Sequence, residues 1–236
     1  MLCRKTRIYT GRQIQNMMVS FKAKFLLTTL PVLVLVLTKA TVLISINYFP
    51  SELSWIPSFI GYYSSILLAL YISKKYLSLP IRQILPTSFK PIPPYGLLLV
   101  TIVIPALLPI TAFITQIKSV PFEFIIYIII FSCINPIFEE MFWRGLLIFL
   151  PGNNFFRISY SASLFSFSHF FLWGYWFKSP MILFPTLIST FIMGVAWMWF
   201  MHKQKNLWYP IVSHFLVDIF NLSVAVYYGI VSFGHF

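Results

Sequence analysis

Long apolar runs, separated by short polar or proline-rich segments, dominate the pattern of this chain. A helix that crosses a membrane needs about 20 mostly apolar residues, and seven runs reach or approach that length. The runs cover approximately 25–48, 55–73, 97–117, 122–150, 158–177, 181–201 and 207–233. The pattern therefore predicts an all-α fold, a polytopic membrane bundle of about seven transmembrane helices.

The composition supports this interpretation and excludes several classes of protein. Hydrophobic residues make up 59% of the 236 positions and charged residues only 9%, whereas soluble domains carry about 25% charged residues. An ordinary soluble globule, a disordered chain, a collagen-like repeat and a disulfide-stapled secreted domain do not fit these figures. We expect one membrane domain over residues 25–236, preceded by a basic leader at 1–24.

The charge distribution predicts how the chain is oriented. The chain has 17 Lys and Arg against 5 Asp and Glu, but the basic residues lie between apolar runs and form no single face that suggests nucleic-acid binding. With the leader inside, 13 basic residues are cytoplasmic and only Lys118 and Lys178 are outside. The positive-inside rule then places the N-terminus in the cytoplasm of a multi-pass plasma-membrane protein. Segment 78–95, which contains five prolines, is expected to be a cytoplasmic loop.

Ionisable residues inside the apolar runs are the candidates for chemistry. A charged side chain at the centre of a membrane helix costs roughly 2.5–3.5 kcal/mol, so such residues face a protein interior or a wet cavity and pair with one another there. Three of the five acidic residues lie in runs, namely Glu139, Glu140 and Asp218, together with Arg144. We expect them to meet on the cytoplasmic side of the bilayer midplane.

Helical spacing predicts which of these groups are neighbours. Glu140 and Arg144 are four residues apart and can pair on one helix face, so one glutamate can be held by Arg144 while the other is left for chemistry or a ligand. By this reasoning either Glu139 or Glu140 can serve as the general base. His214 and Asp218 have the same spacing, so the carboxylate can orient the imidazole.

Two further residues are assigned supporting positions by the same spacing. Phe165 precedes His169 by four residues and is expected to form one wall of the site. Asn221 lies one turn beyond Asp218, near the face that carries His214. Together with Arg144, we interpret Phe165 and Asn221 as structural support.

Three motifs carry a family resemblance. Residues 139–144 fit the pattern EExxxR, residues 165–169 fit FxxxH, and residues 214–218 fit HxxxN/D. In order and context they resemble the CPBP intramembrane proteases, the CAAX proteases and bacteriocin-processing enzymes that are also called the Abi family. The resemblance covers approximately residues 120–222.

The resemblance implies roles for the motif residues. It assigns Glu139 and His169 to the activation of water, while Glu140 stays in the catalytic set as the other candidate base. It assigns His214 and Asp218 to stabilisation of the oxyanion. An ionised aspartate accepts hydrogen bonds but donates none, so Asp218 is protonated, orients His214 or binds a metal, and Asn221 is a candidate substitute donor.

A zinc site is a second interpretation of the same residues. His169 and His214, with Glu139 or Asp218, form a chemically reasonable zinc set with water in the open position. No HExxH spacing supports that set, so we slightly favour a mechanism without a cofactor over one with zinc.

The leading hypothesis is an intramembrane endopeptidase, open to the cytoplasm, that cleaves a peptide or a membrane-associated protein. Bacteriocin maturation, self-immunity and peptide signalling are the roles that the resemblance suggests. Its expected partners are that substrate and membrane lipids. Three alternatives remain open: a non-catalytic adaptor of the same fold that regulates a sensor kinase, a transporter or an immunity partner; a purely structural salt-bridge network; and a proton or ion pathway.

Overall fold

The computed structural model describes residues 21–77, 92–176, 180–228 and 230. All regular structure in these ranges is helical, which confirms the all-α prediction. Most of the leader at 1–24 and of the loop at 78–95 falls outside the described residues, as does Lys178. The division into a leader and one membrane domain therefore stays a prediction.

The helices of the described residues are numbered here in chain order. They are α1 (Phe21–Tyr48), α2 (Trp55–Leu77), α3 (Tyr95–Leu107), α4 (Ile110–Gln116), α5 (Phe122–Phe149), α6 (Asn154–Trp173), α7 (Pro180–Gln204), α8 (Trp208–Phe220) and α9 (Ser223–Tyr227).

Four of the described helices are long and apolar enough to cross a membrane. They are α1, α2, α5 and the Leu183–Gln204 part of α7, while α3 is apolar but shorter. The chain is thus a helical membrane protein. The count of seven spans and the cytoplasmic N-terminus remain predictions.

Two apolar runs are not single helices, contrary to the simplest interpretation of the pattern. The run 97–117 divides into α3 and α4 at Pro109, which has no N–H to continue the helical ladder. The run 207–233 is interrupted between α8 and α9, where Leu222 adopts a left-handed conformation with φ of 51°. A turn follows the fourth run, where Pro151 and Gly152, with φ of 120°, separate α5 from α6.

Helix pairs build the bundle around the motif-bearing segments. Helix α1 packs on α2, α6 on α7, and α5 on α8, and α1 also contacts α6. Gly194 permits the α6–α7 contact, since a Cβ atom there would lie only 3.0 Å from the Cα of Ala162. This close approach brings Trp197 of α7 beside Phe165 of α6.

Candidate active site

The two glutamates of the first motif lie where α5 changes its winding. The α-helical part of α5 ends at Glu140 and continues as a π-helical segment, Met141–Leu146, that carries Arg144. A π segment shifts the residues that follow it around the helix axis, and such segments are frequent at functional sites. Ser161 of α6 anchors this one, because its hydroxyl donates to the Trp143 carbonyl at 2.6 Å.

Glu140 is held from two directions. Its Oε1 lies 2.9 Å from Nη1 of Arg144 and 2.9 Å from Nδ1 of His214. All three side chains are almost completely buried, so these are pairings in a low-dielectric interior, where breaking a pair by removing one partner is strongly destabilising. The structure thus shows the Glu140–Arg144 pair that the spacing predicts and extends it to a second helix.

Glu139 is less constrained than its neighbour. Its Oε2 lies 3.5 Å from Nε2 of His214, and this buried oxygen accepts no hydrogen bond from the described residues. The hydroxyl of Tyr62, which accepts from Nε1 of Trp143 at 2.9 Å, is a neighbour of the same carboxyl group. Glu139 therefore retains an oxygen that is free to accept a proton.

His214 is the hub of the cluster. Its Nε2 faces Oδ1 of Asp218 at 3.6 Å as well as Glu139, while its Nδ1 faces Glu140. Since carboxylate oxygens only accept, the ring donates from both nitrogens only as the imidazolium. The cluster thus contains three carboxyl groups, those of Glu139, Glu140 and Asp218, and two groups that can be cationic, Arg144 and His214. If all five are ionised, the cluster has one excess negative charge.

Aromatic side chains fix the ring of His214. Trp197 stacks on it with ring centroids 4.8 Å apart and an angle of 24° between the ring planes. The indole Nε1 donates to Ser213 Oγ at 2.9 Å and to the carbonyl of Thr101 at 3.0 Å. Thr101 lies in a second π segment, Leu99–Val103 of α3, so the irregular winding of α3 helps to position the ring beneath His214.

The guanidinium of Arg144 lies between two aromatic rings. Its Cζ is 3.9 Å from the Phe165 ring centroid and 4.9 Å from that of Trp197, a typical cation–π arrangement. Its Nε and Nη2 are buried and have no hydrogen-bond partner among the described residues. Arg144 is therefore held by Glu140 and by aromatic faces.

His169 lies at the edge of this cluster. Its Nδ1 is 2.9 Å from the carbonyl of Phe165, and because a carbonyl can only accept, Nδ1 carries the proton and Nε2 is the acceptor nitrogen. The centroid of its ring lies 4.5 Å from that of Phe165, and the Phe165 centroid lies 5.9 Å from that of His214. One aromatic ring therefore separates the two histidines, and the described residues show no direct hydrogen bond between His169 and a carboxylate.

Sequence reasoning missed an amide that belongs to the cluster. Asn135 Nδ2 donates to Oδ2 of Asp218 at 2.9 Å, and Tyr63 donates to Oδ1 of Asn135 at 2.9 Å. Asn221 makes no comparable contact with the cluster in the described part of the chain. The available signal was the position of Asn135, a polar residue in an apolar run four residues, or about one helical turn, before Glu139.

An open apolar groove adjoins this amide. It lies between α2 and α5, has a volume of about 340 Å³ and includes Tyr63 in its wall. Its other lining residues are Trp55, Ile56, Phe59, Ile60, Tyr127, Ile130, Phe131, Ile134 and Tyr228. The hydroxyl of Tyr63 thus faces the polar cluster while its ring faces a surface suited to hydrocarbon.

The arrangement does not assemble the zinc set suggested by the sequence. Within residues 21–77, 92–176 and 180–228, no three His, Cys, Asp or Glu side chains are placed to hold a metal ion. Both nitrogens of His214 already face carboxylates, and Nδ1 of His169 faces a backbone carbonyl. The choice between zinc and no cofactor stays a prediction.

Comparison with known proteins agrees with the motifs. No curated protein and no solved structure matches the chain. Residues 121–220 match the family model of the Rce1-like type II CAAX prenyl endopeptidases. This segment contains all three motifs and nearly coincides with the predicted core at 120–222. The resemblance to the CPBP intramembrane proteases is therefore confirmed for residues 121–220, and it supports a peptidase in general.

Proposed function

We propose that this chain is an intramembrane endopeptidase in which Glu139 activates water. One observation carries the assignment to Glu139: Arg144 and His214 hold Glu140, whereas the adjacent Glu139 keeps a buried oxygen without a donor. The family match over residues 121–220 supports the reaction class. A carboxylate that is free to accept a proton is what a general base requires.

The proposed reaction proceeds in two proton-transfer steps. Glu139 takes a proton from water as the water oxygen bonds to the carbonyl carbon of the scissile peptide. The proton then passes from Glu139 to the leaving nitrogen as the carbon–nitrogen bond breaks, giving a carboxylic acid and an amine. The acceptor Nε2 of His169 would orient the water, because its Nδ1 proton is committed to the Phe165 carbonyl.

His214 is the proposed oxyanion donor. As the imidazolium its Nε2 carries a proton. This nitrogen lies 3.5 Å from Oε2 of Glu139 and 3.6 Å from Oδ1 of Asp218, so neither carboxylate holds the proton in a short hydrogen bond. A developing oxyanion close to this nitrogen would accept that proton in a hydrogen bond and be stabilised by the ring's charge. Asp218 then serves as an acceptor that orients His214, which removes the need for Asp218 itself to donate.

The substrate proposed is a peptide or a membrane-associated protein, reached from the cytoplasmic side of the plasma membrane. The charge asymmetry of the sequence supports this side. The apolar groove beside Tyr63 offers a surface for an apolar part of such a substrate. Bacteriocin maturation, self-immunity and peptide signalling are the cellular roles proposed on the resemblance.

Cleavage of a peptide library by the purified protein in detergent, read by mass spectrometry, tests the proposal. Glu139→Gln should lower the rate by roughly 10²–10⁴-fold, the usual contribution of a general base, and His169→Ala should also lower it. Glu123→Gln is the matched control, because Glu123 is exposed at the start of the same helix. Unchanged turnover in a folded Glu139→Gln protein would reject the assignment.

Elemental analysis and chelator treatment test the choice of cofactor. We expect no stoichiometric zinc in the purified protein and the same cleavage rate with and without 1,10-phenanthroline. One zinc ion per chain, together with loss of cleavage on chelation and recovery on zinc addition, would establish the zinc mechanism instead.

A non-catalytic adaptor of the same fold is the second candidate. It is favoured by the mutual pairing of Arg144, Glu140 and His214 in a fully buried position, which a structural network alone would explain. The two candidates differ in their response to Glu139→Gln: an adaptor retains its cellular role, whereas a peptidase loses it.

A further inference from the structure

Three helices are joined at the site by one asparagine. The hydroxyl of Tyr63 on α2 donates to Oδ1 of Asn135 on α5, and Nδ2 of Asn135 donates to Oδ2 of Asp218 on α8, each at 2.9 Å. The chemistry fixes the orientation of the amide, because a carboxylate only accepts and so requires the NH₂ end. Asn135 and Asp218 are each only 2% exposed.

This contact constrains the part of Asp218 that faces His214. A carboxylate is planar, so holding Oδ2 with one donor also limits where Oδ1 points. Oδ1 is the atom that lies 3.6 Å from Nε2 of His214. The amide therefore acts on the imidazole through the carboxylate, in the manner of a residue that orients a ligating or catalytic group from behind.

We propose that Asn135 is a positioning residue for Asp218, and this inference rests on the proposed function. The third motif ends here in aspartate, which as the ionised form supplies no donor. Where this motif ends in asparagine, its last residue would itself supply an amide donor. In this chain the amide belongs to Asn135 on α5, and it donates to Asp218. Asn221, the amide that follows Asp218 in sequence, does not occupy this position.

A spectroscopic experiment tests the contact without relying on catalysis. Asp218 is the single aspartate of the chain, so cell-free synthesis with carboxyl-¹³C aspartate places one infrared reporter in the protein. Asn135→Ala should shift the stretching band of the labelled Asp218 carboxylate, because the substitution removes the amide that donates to its Oδ2. Asn221→Ala is the control and should leave the band in place. An unshifted band in Asn135→Ala, or a shift in Asn221→Ala alone, would overturn the proposal.

Tyr63→Phe provides a milder variant in case Asn135→Ala does not fold. The Tyr63 ring stacks on Phe138 with centroids 4.7 Å apart, so phenylalanine preserves the packing and removes only the hydroxyl. It should shift the same band in the same direction by a smaller amount, since Asn135 stays but loses its own anchor. A labelled band identical to that of the wild type would count against the relay.

Kinetics distinguish positioning from a merely structural role. Asn135→Ala should lower kcat by roughly 10–100-fold, the usual effect of removing an orienting partner, while a residue that acts only through Asp218 should change KM little. Combined with Asp218→Ala, it should cause no additional loss, since the two residues act as a unit. Losses that multiply in the double variant would show that Asn135 acts independently of Asp218.

The two readouts separate this inference from the proposed function. If the wild-type protein cleaves no peptide, the proposed function fails, and the infrared band still decides whether Asn135 positions Asp218. If the wild type cleaves and Asn135→Ala cleaves equally well, the proposed function stands and Asn135 has no positioning role.

Discussion

The serine and threonine hydroxyls of the α1–α2 hairpin and the polar cluster of the segment from α5 to α8 are satisfied in different ways. In the hairpin, the buried hydroxyls of Thr38, Ser58 and Ser73 each donate to the carbonyl four residues earlier. In the α5–α8 segment, by contrast, polar groups of the cluster also bond across helices. Asn135 and Asp218 are 83 positions apart in sequence, and Glu140 and His214 are 74 positions apart.

This difference indicates what each region requires of its sequence. A hydroxyl that donates to a carbonyl of its own helix needs no partner on another helix, so its loss leaves no other polar group without a hydrogen-bond partner. A carboxylate bonded to a second helix depends on that helix, and removing either partner strands the other in an apolar interior. These hairpin hydroxyls can therefore be replaced one at a time, whereas the residues that bond between helices depend on one another.

Arg144→Met should give the largest loss of stability. It leaves the buried carboxylate of Glu140 with His214 as its remaining charged partner, and breaking a buried pair typically costs about 3–5 kcal/mol. Unfolding of the purified protein in detergent measures the effect. Lys39→Met is the matched control, because Lys39 is exposed on α1 and its loss should change stability little.

A second variant separates the lost pair from lost packing. Adding Glu140→Gln to Arg144→Met removes the stranded charge, so the double variant should be more stable than Arg144→Met alone. A double variant that is less stable would mean that the aromatic contacts of Arg144, at 3.9 and 4.9 Å, dominate its contribution.

Trp197→Phe should have an intermediate effect. Phenylalanine keeps a ring beside His214 but removes the donor to Thr101 and Ser213. The carbonyl of Thr101 then lacks this partner, and such a loss costs roughly 1–3 kcal/mol. Thermal unfolding in detergent checks the stability, and a parallel fall in kcat is expected because the ring under His214 is less firmly held. Stability equal to that of the wild type would show that the hydrogen bond to Thr101, in the π segment of α3, does not help to hold the Trp197 ring.

Ser161→Ala should be milder. It removes the hydroxyl that bonds to the Trp143 carbonyl at 2.6 Å, and hydrogen bonds between membrane helices contribute about 0.6 kcal/mol on average and at most about 1.7 kcal/mol. We expect a loss of about 1 kcal/mol in detergent unfolding. A larger loss would indicate that the π segment of α5 unwinds without this anchor.

The contrast also explains how much was predictable from the sequence. The contacts within one helix, Glu140 with Arg144 and His214 with Asp218, follow directly from their spacing. That ionisable groups on α5 and α8 meet follows from the cost of leaving them in lipid. In each case the residue type and its position along a helix contain the needed information.

The missing parts of the site depend on tertiary packing. Trp197 is one of seven tryptophans in an aromatic-rich chain. Its place beside Arg144 and His214 depends on the α6–α7 contact at Gly194 and on its hydrogen bonds to Thr101 and Ser213. Tyr63 belongs to the unmatched first half of the chain, so no motif marks it. The break at Leu222 likewise has no strong local signal, since leucine is not a residue that favours a left-handed conformation.

Ser73→Ala should have the smallest effect and is the direct counterpart of Ser161→Ala. Both serines are completely buried, at 0% exposure, and both lose the same atom. The Ser73 hydroxyl donates at 2.8 Å to the Ala69 carbonyl, which is already placed to accept the helical N–H of residue 73. Its loss therefore strands no group, and we expect a change within about 0.5 kcal/mol. Equal losses for the two serines, measured by unfolding under one detergent condition, would show that burial alone sets the cost and that bonding between helices adds nothing at this site.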